Sequence, residues 1–202
     1  MRIKALSILL AAAMLACCGA LFTACGGGTA DTATTAVTSV GPTTAAPTAP
    51  PMQRNVVAHF TLDDPSMITD TVNCTATVTA DNTLLVTATG NNPSLTVTLP
   101  TPVSAADAQV IEMRIKASDA TTYSQVYFVT DKNPDWSEDQ SMKNYIGYLT
   151  TTGTLFELVD FYATQAQNWS GNITQLKLVP LLGPGTVEID YIAFMQIVYP
   201  TT

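Results

Sequence analysis

Histidine is almost missing from this 202-residue chain, which has one, His59. Imidazole-based metal sites and serine–histidine–aspartate relays need several such groups in a recognisable order, and the stretch VVAHFTL around His59 offers neither. His59 therefore reads as a strand residue alternating with Ala58 and Phe60. Basic residues are also few, eight against sixteen acidic ones. A chain with that balance is repelled by nucleic acid and by anionic lipid surfaces. Strongly anionic polysaccharides are disfavoured for the same reason, unless a local basic patch overrides the average. Aromatic residues make up 7% of the sequence, too few to display many stacking rings. That scarcity keeps a structural or protein-interaction role in play beside a ligand-binding one. Helical periodicity is wanting as well: no stretch repeats its apolar residues convincingly at the spacing of a helix.

Long hydrophobic runs are confined to the start. MRIK supplies positive charge, ALSILLAAAMLACCGALF is apolar, and FTAC then meets GGG, the arrangement of an export signal. Phe22-Thr23-Ala24-Cys25 resembles a bacterial lipobox, which predicts that Cys25 is acylated and becomes the new N-terminus. An uncleaved membrane helix is the alternative, since the apolar run approaches the roughly 20 residues that span a bilayer. The glycine run and the lack of flanking charge after Cys25 favour processing. Residues 1–24 are then the signal, and Cys17 and Cys18 leave with it. Cys74 stays alone in the exported domain, where no internal disulfide is possible. Eight basic residues less Arg2 and Lys4 leave six against sixteen acidic ones, a formal net charge of −10. Residues 25–53 are rich in Thr, Ala, Pro and Gly and lack the large apolar side chains that offset the entropy of ordering, so they read as an extended tether. Residues 54–202 have the length of one domain. The expected location is outside the cytoplasm, with the domain held to the membrane by lipid.

Within that domain, short segments rich in Val, Ile, Thr and aromatic residues alternate with turns. VVAHFTL, NCTATVT, TLLVTATG, SLTVTL, QVIEMRIKA, YSQVYFVT, KNYIGYLT, LFELVDFY, ITQLKLV and TVEIDYIAF read as strands. The spacing, with no helices between, predicts an all-β fold, an antiparallel sandwich or jelly roll. Alternation points Leu95, Val97 and Leu99 inward, with Ile111, Met113 and Ile115, Val126 and Phe128, Leu176 and Leu178, and Val187, Ile189 and Tyr191. Opposite them stand Glu112, Arg114 and Lys116, Gln125 and Tyr127, Gln175 and Lys177, and Glu188 and Asp190. If those strands share a sheet, its outer face is one polar platform carrying an aromatic ring.

TATGNNPSLTVTLPTPVSAADAQVIEMRIKAS, VYFVTDKNPDWSEDQS and NWSGNITQLKLVPLLGPGTVEIDYIAF, in that order, resemble the galactose-binding-like jelly-roll modules attached to bacterial polysaccharide-degrading and cell-surface proteins. Val179 departs from that pattern, standing where such modules usually carry Asp. The resemblance implies a non-catalytic module that binds a polysaccharide or cell-surface glycan. Carboxylates are plentiful, but glycoside cleavage needs two across a deep cleft, which a small sandwich seldom offers. An enzyme is therefore not expected. Sugars need flat rings for their apolar faces and planar polar groups for their hydroxyls. Tyr127, Arg114 and Gln175 on the platform, with Trp136 in the loop KNPDWSED at its rim, are the candidate binding residues. Trp136 is either an exposed binding ring or a ring folded back onto the domain. Trp169 is expected to close the edge of the sandwich. The resemblance also implies a structural Ca²⁺ held by Asp63 or Asp64 and by Asp190 with backbone carbonyls. Against it stands an Asp190 that is simply solvated or paired with Arg114 or Lys177.

Overall fold

The computed structural model describes residues 51–118, 123–146 and 153–200. The signal, most of the tether and Cys25 lie outside the described residues. Among those described there is no α-helix, only three short 3₁₀ turns between strands. The eleven strands are β1 (Gln53–Thr61), β2 (Ile68–Val72), β3 (Cys74–Val78), β4 (Leu84–Ala88), β5 (Ser94–Ser104), β6 (Val110–Ala117), β7 (Ser124–Thr130), β8 (Ser141–Asn144), β9 (Glu157–Tyr162), β10 (Asn172–Val179) and β11 (Gly185–Val198). All pair antiparallel, in a sheet of order β3-β4-β11-β6-β9 with β1 also on β11, and a second sheet of order β2-β5-β10-β7-β8. This is the expected all-β, antiparallel jelly-roll sandwich.

β-branched and aromatic side chains at every second position give each strand one apolar face, and the two sheets bury those faces against each other. Ile111, Met113, Ile115, Phe161 and Phe194 of one sheet meet Val97, Phe128, Leu176 and Leu178 of the other in a single cluster, each buried. Full burial of one such side chain stabilises by about 1.5–3 kcal/mol. Trp169 packs against this cluster, its ring edge-on to Phe128 at 4.8 Å, and its indole N–H donates to the carbonyls of Ala105 at 2.7 Å and Ala108 at 2.8 Å. The expectation that it closes the sandwich holds.

Three local readings differ. β2 falls in a stretch not named among the expected strands, because Thr69, Asp70 and Thr71 hide a strand whose edge position needs little apolar surface. β8 begins at Ser141, ahead of the expected KNYIGYLT, whose last residues lie outside the described ones. β1 starts at Gln53, so the end of the presumed tether is already strand, with Gln53 opposite Val198.

A fourth difference concerns Tyr191. β11 pairs with β6 in register up to Ile189 opposite Ile115, then resumes at Tyr191 opposite Arg114, leaving Asp190 as the extra residue of a bulge. One inserted residue reverses which faces the following side chains occupy. Ile192 and Phe194 therefore enter the core, and Tyr191 turns out to join Val110, Ala193 and Met195 in a small second cluster. At the same point β11 exchanges its neighbour, from β4 through Ile189 to β1 from Tyr191.

Candidate functional site

The single platform expected from alternation divides between two sheets. Glu112, Arg114, Lys116, Glu188 and Asp190 belong to β6 and β11 of the six-stranded sheet. Gln125, Tyr127, Gln175 and Lys177 belong to β7 and β10 of the five-stranded sheet. Alternation assigns a side chain to one of two faces of its own strand and carries no information about which sheet the strand joins. Arg114 is therefore not beside Tyr127 and Gln175, which corrects its placement among the binding residues.

The charges of the six-stranded sheet are spent on each other. Arg114 forms an ion pair with Asp190 and Lys116 one with Glu188, while Thr83 donates to Glu188 at 2.6 Å. Burial works to raise the Glu188 carboxyl, but Lys116 and Thr83 outweigh it and hold the pKa below the usual carboxylate value. Arg54 reaches both oxygens of Asp160, at 2.8 and 3.0 Å, and Glu112 at 3.0 Å. The Asp160 bond raises the guanidinium pKa against the opposing effect of burial. Tyr191 donates to Glu112 at 3.0 Å, and His59 lies against the Tyr191 ring at 4.6 Å.

That arrangement also bears on calcium. Asp190 has Arg114 as its cation; Asp63 accepts from the Thr61 hydroxyl at 2.8 Å, and Asp64 from the Ser66 backbone N–H at 2.9 Å as the cap of a 3₁₀ turn. Among the described residues no three His, Cys, Asp or Glu side chains come together to hold an ion. Asp63, Asp64 and Asp190 are thus each engaged within the chain, by a hydroxyl, an N–H and a guanidinium respectively, and a Ca²⁺ with its six to eight oxygens would have to compete with those partners.

The five-stranded sheet turns a different surface to solvent. Lys177 stands opposite Tyr127 on the neighbouring strand and Thr96 on the other side. Its ammonium lies 4.5 Å from the centre of the Tyr127 ring and 5.0 Å from that of Trp136, a cation held between two rings. Trp136 is 37% exposed, so the loop brings its ring to the edge of this face without burying it. Tyr127 donates to Glu138, which also accepts from Gln125 at 3.2 Å and faces Lys143 at 3.6 Å. Burial first, and then the bond to Glu138, push the Tyr127 phenol up to about 12. The same bond, ahead of Gln125 and Lys143, keeps the Glu138 carboxyl below its ordinary value. Gln175 donates to the Thr98 hydroxyl at 3.0 Å. The result is two rings around an ammonium, with two hydrogen-bonded amides, on one sheet face.

No family model matches the sequence, and no curated protein matches it. Solved structures do show similarity. A low-affinity xylan-binding module from the gut symbiont Roseburia intestinalis aligns with 74% of this chain and 97% of its own, at 9% identity and a TM-score of 0.43. A mutant family 29 carbohydrate-binding module complexed with cellohexaose aligns with 74% and 98%, at 6% identity and 0.47. The family 11 module of a cellulosomal cellulase from Clostridium thermocellum aligns with 70% and 96%, at 13% identity and 0.46. At such values the role of this chain has to be argued from its own surface.

Lys177, Glu138, Tyr123 and Tyr145 are absent from the candidates read out of the sequence. Tyr123 was within reach, since Tyr123, Gln125 and Tyr127 alternate outward while Ser124, Val126 and Phe128 are buried. Lys177 and Glu138 become meaningful only through their cross-strand and loop neighbours.

Proposed function

We propose that the domain is a non-catalytic carbohydrate-binding module whose ligand lies on the outer face of the five-stranded sheet. The observation that carries this reading is the meeting of Tyr127 and Trp136 around Lys177 on a solvent-facing sheet, with Gln125 and Gln175 beside them. Rings offer flat surface for the C–H faces of a pyranose, and the amides and ammonium offer bonds to its hydroxyls. Glu138 is unsuited to serve as a general acid here: that role needs a carboxyl pKa pushed up, and this one is pulled down by Tyr127, Gln125 and Lys143.

The test is retention on insoluble polysaccharide. Tyr127→Ala and Trp136→Ala are each expected to weaken it about tenfold, the loss of about 1.4 kcal/mol of ring contact. Undiminished retention in both variants refutes the assignment. The second reading, a structural or protein-interaction module of the envelope, draws on one feature of the same site: Lys177 covers ring surface that a sugar would use. Failure of the wild-type protein to bind any polysaccharide favours it.

The module is further proposed to be held at the membrane by a lipid on Cys25, with the residues between Cys25 and the start of β1 as tether. The FTAC-GGG sequence supports this. Cys25→Ser is expected to move the folded protein into the soluble fraction; persistence in the membrane fraction contradicts it.

A further inference from the structure

The rings around Lys177 are partly occupied, yet the same sheet face carries a second aromatic station that is open. Tyr123 and Tyr145 are 48% and 50% exposed, and their rings meet edge to face at 5.6 Å. Their meeting follows from the register: Ser124 lies opposite Asn144 and Gln125 opposite Lys143, so the residues flanking these pairs project together beyond the strand ends. Beside them is a cleft lined by Tyr123, Gln125, Lys143, Asn92 and Leu182. Its lip is tied by the Asn92 N–H, which donates to the Leu182 carbonyl at 3.1 Å.

We propose that this cleft is a second sugar subsite, and that the ligand is a linear polysaccharide bound along β7 across both stations. The inference rests on the glycan reading above. Tyr123 immediately precedes β7 and Tyr127 lies within it, four residues on, a separation of about 13 Å along an extended chain. A single sugar ring is too short to touch both, so the two stations call for a chain of several units. Gln125 joins them, because it lines the cleft and also donates to Glu138, the carboxylate that accepts from the Tyr127 hydroxyl. The ligand is neutral at the second station. The cation lining it, Lys143, already faces Glu138, and the remaining groups are amides, a phenol and an aliphatic side chain, which match hydroxyls and C–H faces.

The experiment is titration calorimetry with cello-, xylo- and manno-oligosaccharides of two and six units, on wild type and on Tyr123→Ala and Tyr145→Ala, with melting temperatures to confirm folding. Wild type is expected to bind the six-unit form of its preferred sugar at least tenfold more tightly than the two-unit form. Both alanine variants are expected to lose most of that gain and to bind the two-unit form as before. Tyr145→Phe, which keeps the ring, is expected to retain the gain. Equal affinity for the two lengths, or a gain that survives both alanine variants, overturns the second subsite and leaves the glycan reading standing. No binding of any of these sugars or of the parent polysaccharides overturns both.

Discussion

Trp169 is the residue at which a structural and a binding tryptophan separate most cleanly. Its ring packs on Phe128, and its indole N–H is shared between the carbonyls of Ala105 and Ala108, both buried. Trp169→Phe keeps most of the ring contact and removes the donor. A net hydrogen bond contributes about 0.5–1.5 kcal/mol, and a buried acceptor left without its partner costs about 1–3 kcal/mol. The expected loss is about 2 kcal/mol, since one donor serves both carbonyls. For a domain of this size that lowers the melting temperature by about 4–8 °C. Trp169→Ala also empties the space beside Phe128, where a fully buried aromatic truncation costs about 3–5 kcal/mol. Trp169 is only partly buried, so a total near the lower end is expected. Thermal unfolding by circular dichroism reads both, and polysaccharide retention of Trp169→Phe is expected to match wild type. A Trp169→Phe protein that melts like wild type but no longer binds polysaccharide would refute the structural role.

Two other outcomes follow from local geometry. Gly171 sits at φ +84°, and a Cβ there would collide with the Asp131 carboxylate, which accepts from Asn172 through both its oxygens. Gly171→Ala is expected to cost about 1–3 kcal/mol, read as a lowered denaturation midpoint, whereas an unchanged midpoint would show that the turn relaxes freely. With Asp190 paired to Arg114, millimolar Ca²⁺ and chelator are expected to give the same melting temperature. A rise of several degrees with Ca²⁺, abolished in Asp190→Asn, would restore a metal site by mass action.

Much of this fold is legible because its strands obey one rule. Leu95, Val97 and Leu99, or Ile111, Met113 and Ile115, alternate with polar residues and are buried as that alternation requires. The rule fails where the backbone departs from it. The bulge at Asp190 falls where alternation lapses into the apolar run Tyr191-Ile192-Ala193-Phe194-Met195, which fits either phase, so Tyr191 is placed on the wrong side. The site was less legible than the fold, because strand order decides it. Arg114 and Tyr127 both face outward, yet one lies on each sheet. Trp136 presented two readings in sequence, and only its position over Lys177 brings it to the five-stranded face.

The central claim, that this face holds the carbohydrate, is tested most directly by amide chemical-shift mapping during titration with a polysaccharide-derived oligosaccharide that the protein retains. The expected shifts fall on β7, β10 and the loop through Trp136, with Arg114, Lys116 and Glu188 on the opposite sheet unmoved. Shifts concentrated on β6 and β11, with β7 and β10 silent, would contradict it.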